Sequence, residues 1–138
     1  MRNKFLSFFI YLLISKLFLL NASGTEQFNF DISEIEILEN GNIIKGVKKG
    51  TVNTNDGIVI TADTFIYNKL LNILSAEGNV KIKDANKSLE IYSDNIIYDK
   101  SKEFINTNKN SKAIYEKGKF IIADSFKLDR NKNILNAY

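Results

Sequence analysis

One ten-residue segment of this chain occurs three times, and that repetition limits the folds open to it. The copies read ITADTFIYNK at 60–69, IYSDNIIYDK at 91–100 and IIADSFKLDR at 121–130, so they begin 31 and then 30 residues apart. Self-similarity at a fixed period marks architectures in which each repeat is one supersecondary unit that buries its apolar face against its neighbours. We therefore expect a stack of similar units.

Each copy is anchored by an aspartate, with apolar side chains at fixed distances after it. The aspartates are Asp63, Asp94 and Asp124, and the apolar positions lie two, four and eleven residues further on. A fainter first copy has Ser33 where the aspartate would be, so the chain contains four copies spaced by 30, 31 and 30 residues. The apolar residues at the three offsets are Ile35, Ile37 and Ile44; Phe65, Tyr67 and Leu74; Ile96, Tyr98 and Ile105; and Phe126, Leu128 and Leu135.

Within a copy the apolar residues recur at every second position, which is the pattern of a half-buried β-strand. In LSAEGNVKIK at 74–83, small and aliphatic residues alternate with Ser, Glu, Asn and Lys. The apolar positions change parity at the aspartate, from Ile60 before Asp63 to Phe65 after it. Because a regular strand alternates strictly, this change requires a corner or bulge at Asp63. We predict an all-β domain built from hairpin-like units of about thirty residues.

The repeated aspartates also admit an interpretation as metal ligands or catalytic acids. Each stands alone, however, with no second carboxylate at a constant nearby offset in every copy. Short polar pairs such as Asp63-Thr64 and Asp94-Asn95 bond backbone groups where a strand bends, so we assign the aspartates a structural role. The chain has no Cys and no His, which removes thiolate nucleophiles and the commonest general base and metal ligand. We therefore expect no enzyme, no metal site and no cofactor.

The N-terminus has the order of a secretory signal peptide. Two basic residues precede an apolar run at 5–20, which is followed by the small residues of NASG. Lys16 interrupts the run and leaves about ten uninterrupted apolar residues, fewer than the roughly 20 that span a bilayer. We expect residues 1–24 to be a signal peptide, with cleavage after Ala22 or Gly24 and a retained membrane anchor as the alternative.

The charge balance argues against a nucleic-acid partner. The chain has 19 basic and 16 acidic residues and a sequence pI near 9.0. Three of the basic residues, Arg2, Lys4 and Lys16, belong to the predicted signal, so the 16 basic side chains that remain equal the 16 acidic ones in number. Binding to phosphates needs a concentrated basic face, and the sequence contains no cluster of Lys and Arg on that scale. We expect no nucleic acid among the partners.

The motif I-x-A-D-x-F-x-Y-[ND]-K, followed by L-x-A-x-G-N-V-K-I, resembles the OstA-like domain of the lipopolysaccharide transport machinery. In this chain it reads ITADTFIYNK and then LNILSAEGNVKIKD. The resemblance covers about residues 28–138, and the family includes the periplasmic bridge protein LptA and the N-terminal domain of the outer-membrane assembly protein LptD. It implies that residues 25–138 form an antiparallel β-jelly roll of two splayed sheets, located in the periplasm and associated with the outer membrane.

The same resemblance implies a ligand and a kind of partner. In OstA-like domains the apolar space between the sheets is a groove for the acyl chains of lipid A, so the domain would bind lipopolysaccharide and pass it towards the outer membrane. Domains of this family join edge to edge by strand pairing, which makes other OstA-like domains the expected partners. The candidates for lining the groove are Ala62, Phe65, Tyr67, Leu74, Val80, Ile82, Ile91, Ile96, Tyr98, Ile105, Phe126 and Leu128.

Periodicity alone favours a different class, a structural β-repeat domain whose interior is an ordinary packed core without a ligand. A continuous apolar cleft between the sheets would favour lipid transport, and a filled interior would favour the structural repeat. The chain stops within its fourth copy, at 134–138, so we expect a domain truncated at the C-terminus with an open strand edge. Three kinds of protein fit these features. The chain could be a compact bridge protein, part of an LptD-like protein or, if the N-terminal anchor is retained, a relative of the inner-membrane component.

Overall fold

The computed structural model describes residues 27–116 and 118–138, which form thirteen β-strands and one 3₁₀ turn at Glu39–Gly41. All strand pairings in this part of the chain are antiparallel, which confirms the predicted all-β class. The strands are β1 Asn29–Ile32, β2 Ile35–Leu38, β3 Ile43–Gly46, β4 Gly50–Asn53, β5 Ile58–Ala62, β6 Thr64–Asn68, β7 Ile73–Asp84, β8 Leu89–Asp99, β9 Phe104–Asn108, β10 Ser111–Tyr115, β11 Lys119–Ala123, β12 Phe126–Asp129 and β13 Ile134–Ala137.

The N-terminal segment falls outside this description. The signal peptide predicted for residues 1–24 therefore stays a prediction. Within the described ranges, no helix is long and apolar enough to cross a membrane.

In each thirty-residue copy the chain passes from one layer of strands to the other and then returns. In the second copy β5 lies in one layer, the chain bends at Asp63, and β6 lies in the other layer. A turn leads into β7, whose first half pairs with β6 and whose second half pairs with β5. The register of β7 on β8 shifts between Glu77 and Val80, where both strands pass between the layers. The bend predicted at Asp63 is confirmed.

The strand pairings define two layers. Sheet A consists, in order, of β1, β4, β5, the second half of β7, the first half of β8, β10 and β11. Sheet B consists, in order, of β2, β3, β6, the first half of β7, the second half of β8, β9, β12 and β13. Because β7 and β8 belong to both layers, backbone hydrogen bonds join the two sheets at the corner where these strands bend.

The corners are held by the repeated aspartates. The backbone N–H of Asp63 donates to the carbonyl of Gly78 (2.9 Å), and the side-chain amide of Asn79 donates to the Asp63 carboxylate (2.6 Å). The third copy repeats the second contact, because the Asn110 amide donates to the Asp94 carboxylate (2.7 Å). Both asparagines have positive φ, 47° and 49°, a conformation that Asn tolerates better than most residues. In these two copies, each aspartate therefore bonds an asparagine that turns the chain back.

The hydrophobic core lies between the inner faces of the two sheets. Along β5 and β6 the buried side chains are Ile58, Ile60 and Ala62, and then Phe65 and Tyr67, so the change of parity at the corner keeps every apolar side chain inside. The ring of Phe28, which precedes β1, packs edge-on against two rings of sheet B, those of Tyr67 and Tyr98, at centroid distances of 4.8 and 5.6 Å. Such contacts join sheet A to sheet B across the interior.

Candidate functional site: the space between the two sheets

The structure places all twelve predicted groove residues between the two sheets. Each is at most 7 % exposed, and together they form the larger part of one hydrophobic cluster. Ile82 and Ile91 are cross-strand neighbours in sheet A, and Leu74 and Tyr98 are cross-strand neighbours in sheet B. At this degree of burial the twelve side chains pack against one another. The full set is Ala62, Phe65, Tyr67, Leu74, Val80, Ile82, Ile91, Ile96, Tyr98, Ile105, Phe126 and Leu128.

A cleft of about 360 Å³ lies at the C-terminal end of this space. Apolar side chains from sheet A and from sheet B form its walls, and one of the twelve predicted residues, Leu128, is among them. The cleft therefore continues the apolar space between the sheets to the surface of the described chain. Its apolar lining residues are Leu89, Tyr115, Ile121, Leu128 and Leu135, and its polar ones are Lys87, Glu116 and Asn133.

The cleft exists because sheet A is one strand shorter than sheet B. Among the described residues sheet A has seven strands and sheet B has eight, and β11 pairs with β10 alone. Ile121 of β11 lies opposite Ala113, which is fully buried, so its side chain faces the interior. Nevertheless Ile121 is 37 % exposed, because no further strand covers it on the other side. Because sheet A ends at β11 in the described part of the chain, Ile121 lies at the rim of the cleft.

Both ends of the two layers have free strand edges. Among the residues that the structure describes, β1 pairs only with β4 and β2 only with β3 at the N-terminal end, and β11 and β13 each have one neighbour at the C-terminal end. Several apolar residues at these edges are exposed, among them Ile37 (68 %) and Ile122 (69 %). An unpaired strand with exposed aliphatic side chains is suited to pairing with another chain.

Hairpin turns of the two sheets meet on the side opposite the corners, and charged side chains join them. We call this side the seam, formed by Asp56 and Asp84 of sheet A with Lys100, Glu103 and Arg130 of sheet B. Arg130 Nη1 lies 2.6 Å from Asp56 Oδ2, and Arg130 Nη2 lies 3.6 Å from Asp84 Oδ2. Lys100 Nζ lies 3.0 Å from Asp56 Oδ2, and both cations also contact the Glu103 carboxylate. The seam therefore links the sheets where the chain itself does not.

The seam also includes the hydroxyl of a predicted groove residue. The Tyr98 hydroxyl donates to Glu103 (2.8 Å) and accepts from Arg130 (2.7 Å) and from Lys100 (3.2 Å). Burial, together with the contact to Glu103, raises the pKa of Tyr98 to about 12. Burial acts to raise the pKa of Asp56 as well, but hydrogen bonds from Thr54, Arg130 and Lys100 outweigh it and hold that pKa below its usual value. The phenol is therefore neutral and the carboxylate ionised at neutral pH.

Three buried hydroxyl residues at the corner of the third copy were missed by the sequence analysis. Ser93, Thr107 and Ser111 each stand 31 residues after an apolar core residue of the second copy. The Thr107 and Ser111 hydroxyls lie 2.7 Å apart, and the backbone N–H of Phe126 donates to Thr107 (2.7 Å). These hydroxyls bond backbone groups and one another, so they complete the corner. Their departure from the repeat is the signal that would have revealed them.

In the described part of the chain, no group of three or more acidic side chains is arranged so that it could hold a metal ion. The repeated aspartates that invited a metal interpretation each bond an asparagine or a backbone group of their corner.

Two splayed antiparallel sheets that share strands at one corner and enclose an apolar space define a β-jelly roll. No protein-family model matches the sequence, and no curated protein matches it either. Among solved structures the chain is similar to the crystal structure of LptH from Pseudomonas aeruginosa, described as the LptA-homologous periplasmic component of the conserved lipopolysaccharide transport device. The TM-score is 0.67, the match covers 80 % of each chain, and 16 % of the residues are identical. At this identity the similarity shows the fold alone, and the predicted β-jelly-roll fold is confirmed.

Proposed function

We propose that this chain is a non-enzymatic lipid-carrying module that shelters the acyl chains of lipopolysaccharide between its two sheets and passes them towards the outer membrane. The observation that supports it best is the apolar interior that continues into a surface cleft at the C-terminal end. The fold shared with LptH, a component of a lipopolysaccharide transport device, supports the same function. The proposed location is the periplasm, reached by means of the predicted signal peptide.

The physical basis of binding is the hydrophobic effect. Transfer of each methylene of an acyl chain from water to an apolar site contributes about 0.8 kcal/mol, so several chains bind tightly without a specific polar contact. The predicted groove residues supply no charged side chain, and the Tyr98 hydroxyl is bonded within the seam. Because the twelve residues pack against one another, acyl chains reach the interior only if the two sheets move apart or side chains rearrange.

The proposed protein partners are other OstA-like domains that pair with the free strand edges. In sheet B neighbouring strands alternate in direction, so β13, the eighth strand in order, runs antiparallel to β2, the first. A second domain that places its equivalent of β2 against β13 therefore continues the antiparallel order of sheet B. The apolar interiors of the two domains would then face each other at the cleft, and lipid would pass between them.

Site-specific photocrosslinking to purified lipopolysaccharide tests this function. A photoreactive residue is introduced in turn at Phe65 and Phe126, which are buried between the sheets, and at Ile121 on the rim of the cleft. The control position is Lys81, which neighbours Tyr92 on the outer face of sheet A. Transport predicts crosslinks at the three inward positions and none at Lys81. Folded protein with no inward crosslink would refute the proposal.

A structural β-repeat domain without ligand is the second candidate, and one observation favours it. The twelve central side chains are nearly inaccessible, as in an ordinary packed core. On that account the cleft at β11 is only the place where another strand or domain packs. The photocrosslinking experiment separates the two functions, because a solid core gives no lipid adduct at Phe65 or Phe126 at any lipid concentration below the one that unfolds the domain.

A further inference from the structure

The two long sides of the space between the sheets are closed in different ways. On the corner side the backbone itself crosses between the layers, at Asp63, within β7 at Gly78, and within β8 at Asp94. On the opposite side each sheet ends in hairpin turns, so within the described ranges only side-chain and turn contacts connect sheet A to sheet B there. Any separation of the sheets that preserves the strands must therefore begin at the seam.

Arg130 is the residue that most directly bridges the seam. Its side chain is 8 % exposed, and its guanidinium contacts Asp56 and Asp84 of sheet A while it also contacts Glu103 of sheet B. The backbone carbonyl of Arg130 accepts a further hydrogen bond from Lys87 of sheet A (2.9 Å). Removal of this one side chain therefore eliminates most of the charged contacts between the two layers.

The chemistry of the seam is unusual for a permanent closure. Burial of ion pairs has a desolvation cost that their attraction only partly offsets, and apolar replacements of similar volume are often as stable or more stable. Among the described residues, Arg130 Nε and the buried Asp84 Oδ2 have no hydrogen-bond partner, and Arg130 Nη2 lies 3.6 Å from that oxygen. The corner of the second copy contains no such buried ion pair among the described residues; besides the hydrogen bonds of Asp63 it buries apolar residues such as Ala62 and Val80. The seam therefore has close ion-pair contacts, but these contacts contribute little net free energy to holding the two sheets together.

We propose that the seam is a latch: the two sheets separate along it, with the corners as hinge, and Arg130 holds it shut. This inference deepens the proposed function, since the latch supplies the side route by which acyl chains reach the packed interior. The chain stays folded while the seam is open, because the backbone ladders within each sheet are unaffected. Opening exposes the inner faces of sheet A and sheet B together.

Thiol labelling of a single buried cysteine measures this opening without any lipid. The chain has no cysteine, so Ala76→Cys introduces one reporter into the inner face of β7, at a site that is 2 % exposed. In that background Arg130→Met removes the bridging cation and keeps an apolar stem of similar length. Lys132→Met is the matched control. It also removes a cation from this turn, but the Lys132 side chain is 72 % exposed.

If the seam opens in this way, the thiol of Ala76→Cys is labelled through a motion that requires less free energy than global unfolding. The labelling rate then depends only weakly on the urea concentration. Arg130→Met is expected to speed labelling about ten-fold or more, because loss of a buried ion-pair partner weakens the closed state. Lys132→Met is expected to leave the rate within about two-fold, since exposed pairs contribute little. If Arg130→Met does not fold, Asp56→Asn, which removes the carboxylate shared by Arg130 and Lys100, is expected to speed labelling in the same direction.

Labelling that follows global unfolding in every variant, with the full dependence on urea, would overturn the latch. Loading of purified lipopolysaccharide is measured separately on the same variants. Faster loading of Arg130→Met, with Lys132→Met unchanged, supports the latch as the lipid route. Fast labelling of Arg130→Met with no lipid bound by any variant would refute the proposed function and the lipid route while leaving the opening motion established. Lipid bound equally fast by all variants would refute the route alone.

Discussion

The most informative single-atom change in this structure is the removal of the Tyr98 hydroxyl. Tyr98→Phe preserves the ring, which packs against Phe28 in the core, and eliminates only the polar contacts of the phenol. The oxygen has three charged neighbours, Glu103 at 2.8 Å, Arg130 at 2.7 Å and Lys100 at 3.2 Å. The change therefore removes the hydrogen bonds that join this predicted groove residue to the seam and keeps the packing of its ring.

The magnitude follows from hydrogen bonds to charged groups, which contribute about 1.5–3 kcal/mol net, against about 1 kcal/mol for neutral pairs. Lys100, Arg130 and Glu103 keep one another as partners after the change, so the net loss is about that of one hydrogen bond to a charged group. We expect Tyr98→Phe to lower the free energy of unfolding by about 2 kcal/mol. The matched control is Tyr92→Phe, since its hydroxyl donates to Glu90 (2.7 Å) on the outer face of sheet A. That change is expected to cost less than about 1 kcal/mol.

Urea unfolding followed by far-UV circular dichroism provides the assay, with the free energy obtained from the midpoint and slope for each variant. The predicted result is a clear fall in midpoint for Tyr98→Phe, at unchanged slope, and a small one for Tyr92→Phe. Equal effects of the two changes, or a stable Tyr98→Phe, would mean that the seam hydrogen bonds do not hold the sheets together as the structure indicates.

Three further results are expected. Leu74→Ala, at a fully buried site, should lower stability by about 2–5 kcal/mol, whereas Leu70→Ala, in a turn and 74 % exposed, should change it by under about 0.5 kcal/mol; similar losses in urea unfolding would contradict the assignment of the interior. Gly78→Ala should cost about 1–3 kcal/mol, because φ is +78° there and a Cβ would lie 2.5 Å from the Asp63 carboxylate; an unchanged thermal midpoint would contradict the corner geometry. The pKa of Tyr98 is raised to about 12, so the protonated phenol contributes fully to folding stability below the unfolded-state pKa of about 10, and that contribution is lost as the pH rises towards 12. Between these two pH values, the free energy of unfolding should therefore fall less in Tyr98→Phe than in the parent protein.

The repeat predicted the parts of the fold that depend on local chemistry. Asp63 marks a corner because its carboxylate bonds Asn79 and because apolar parity changes there, and both signals are present in the sequence itself. The inward positions of the second, third and fourth copies follow from the same period. Core residues of the first copy, Phe28 and Val52, were missed because Ser33 replaces the anchoring aspartate and the period is faint there.

The seam could not be predicted from local patterns. Asp56 and Arg130 are 74 residues apart and belong to different sheets, so their contact exists only once turns of both layers have come together. Lys100 and Arg130 each end a copy of the ten-residue segment, but no periodicity pairs that basic position with Asp56. The same reason applies to the cleft, since the exposure of Ile121 depends on how many strands sheet A contains.

Paramagnetic broadening would show whether acyl chains lie between the two sheets, as we propose. A lipid A analogue with a spin label at the end of one acyl chain is added to protein with isotopically labelled methyl groups. We expect strong broadening of the inward methyl groups of Ile105 and Leu128, and little broadening of Ile66 and Ile97, which are exposed on the outer face of sheet B. Broadening confined to Ile66 and Ile97, with Ile105 unchanged, would place the lipid outside the domain and contradict the account.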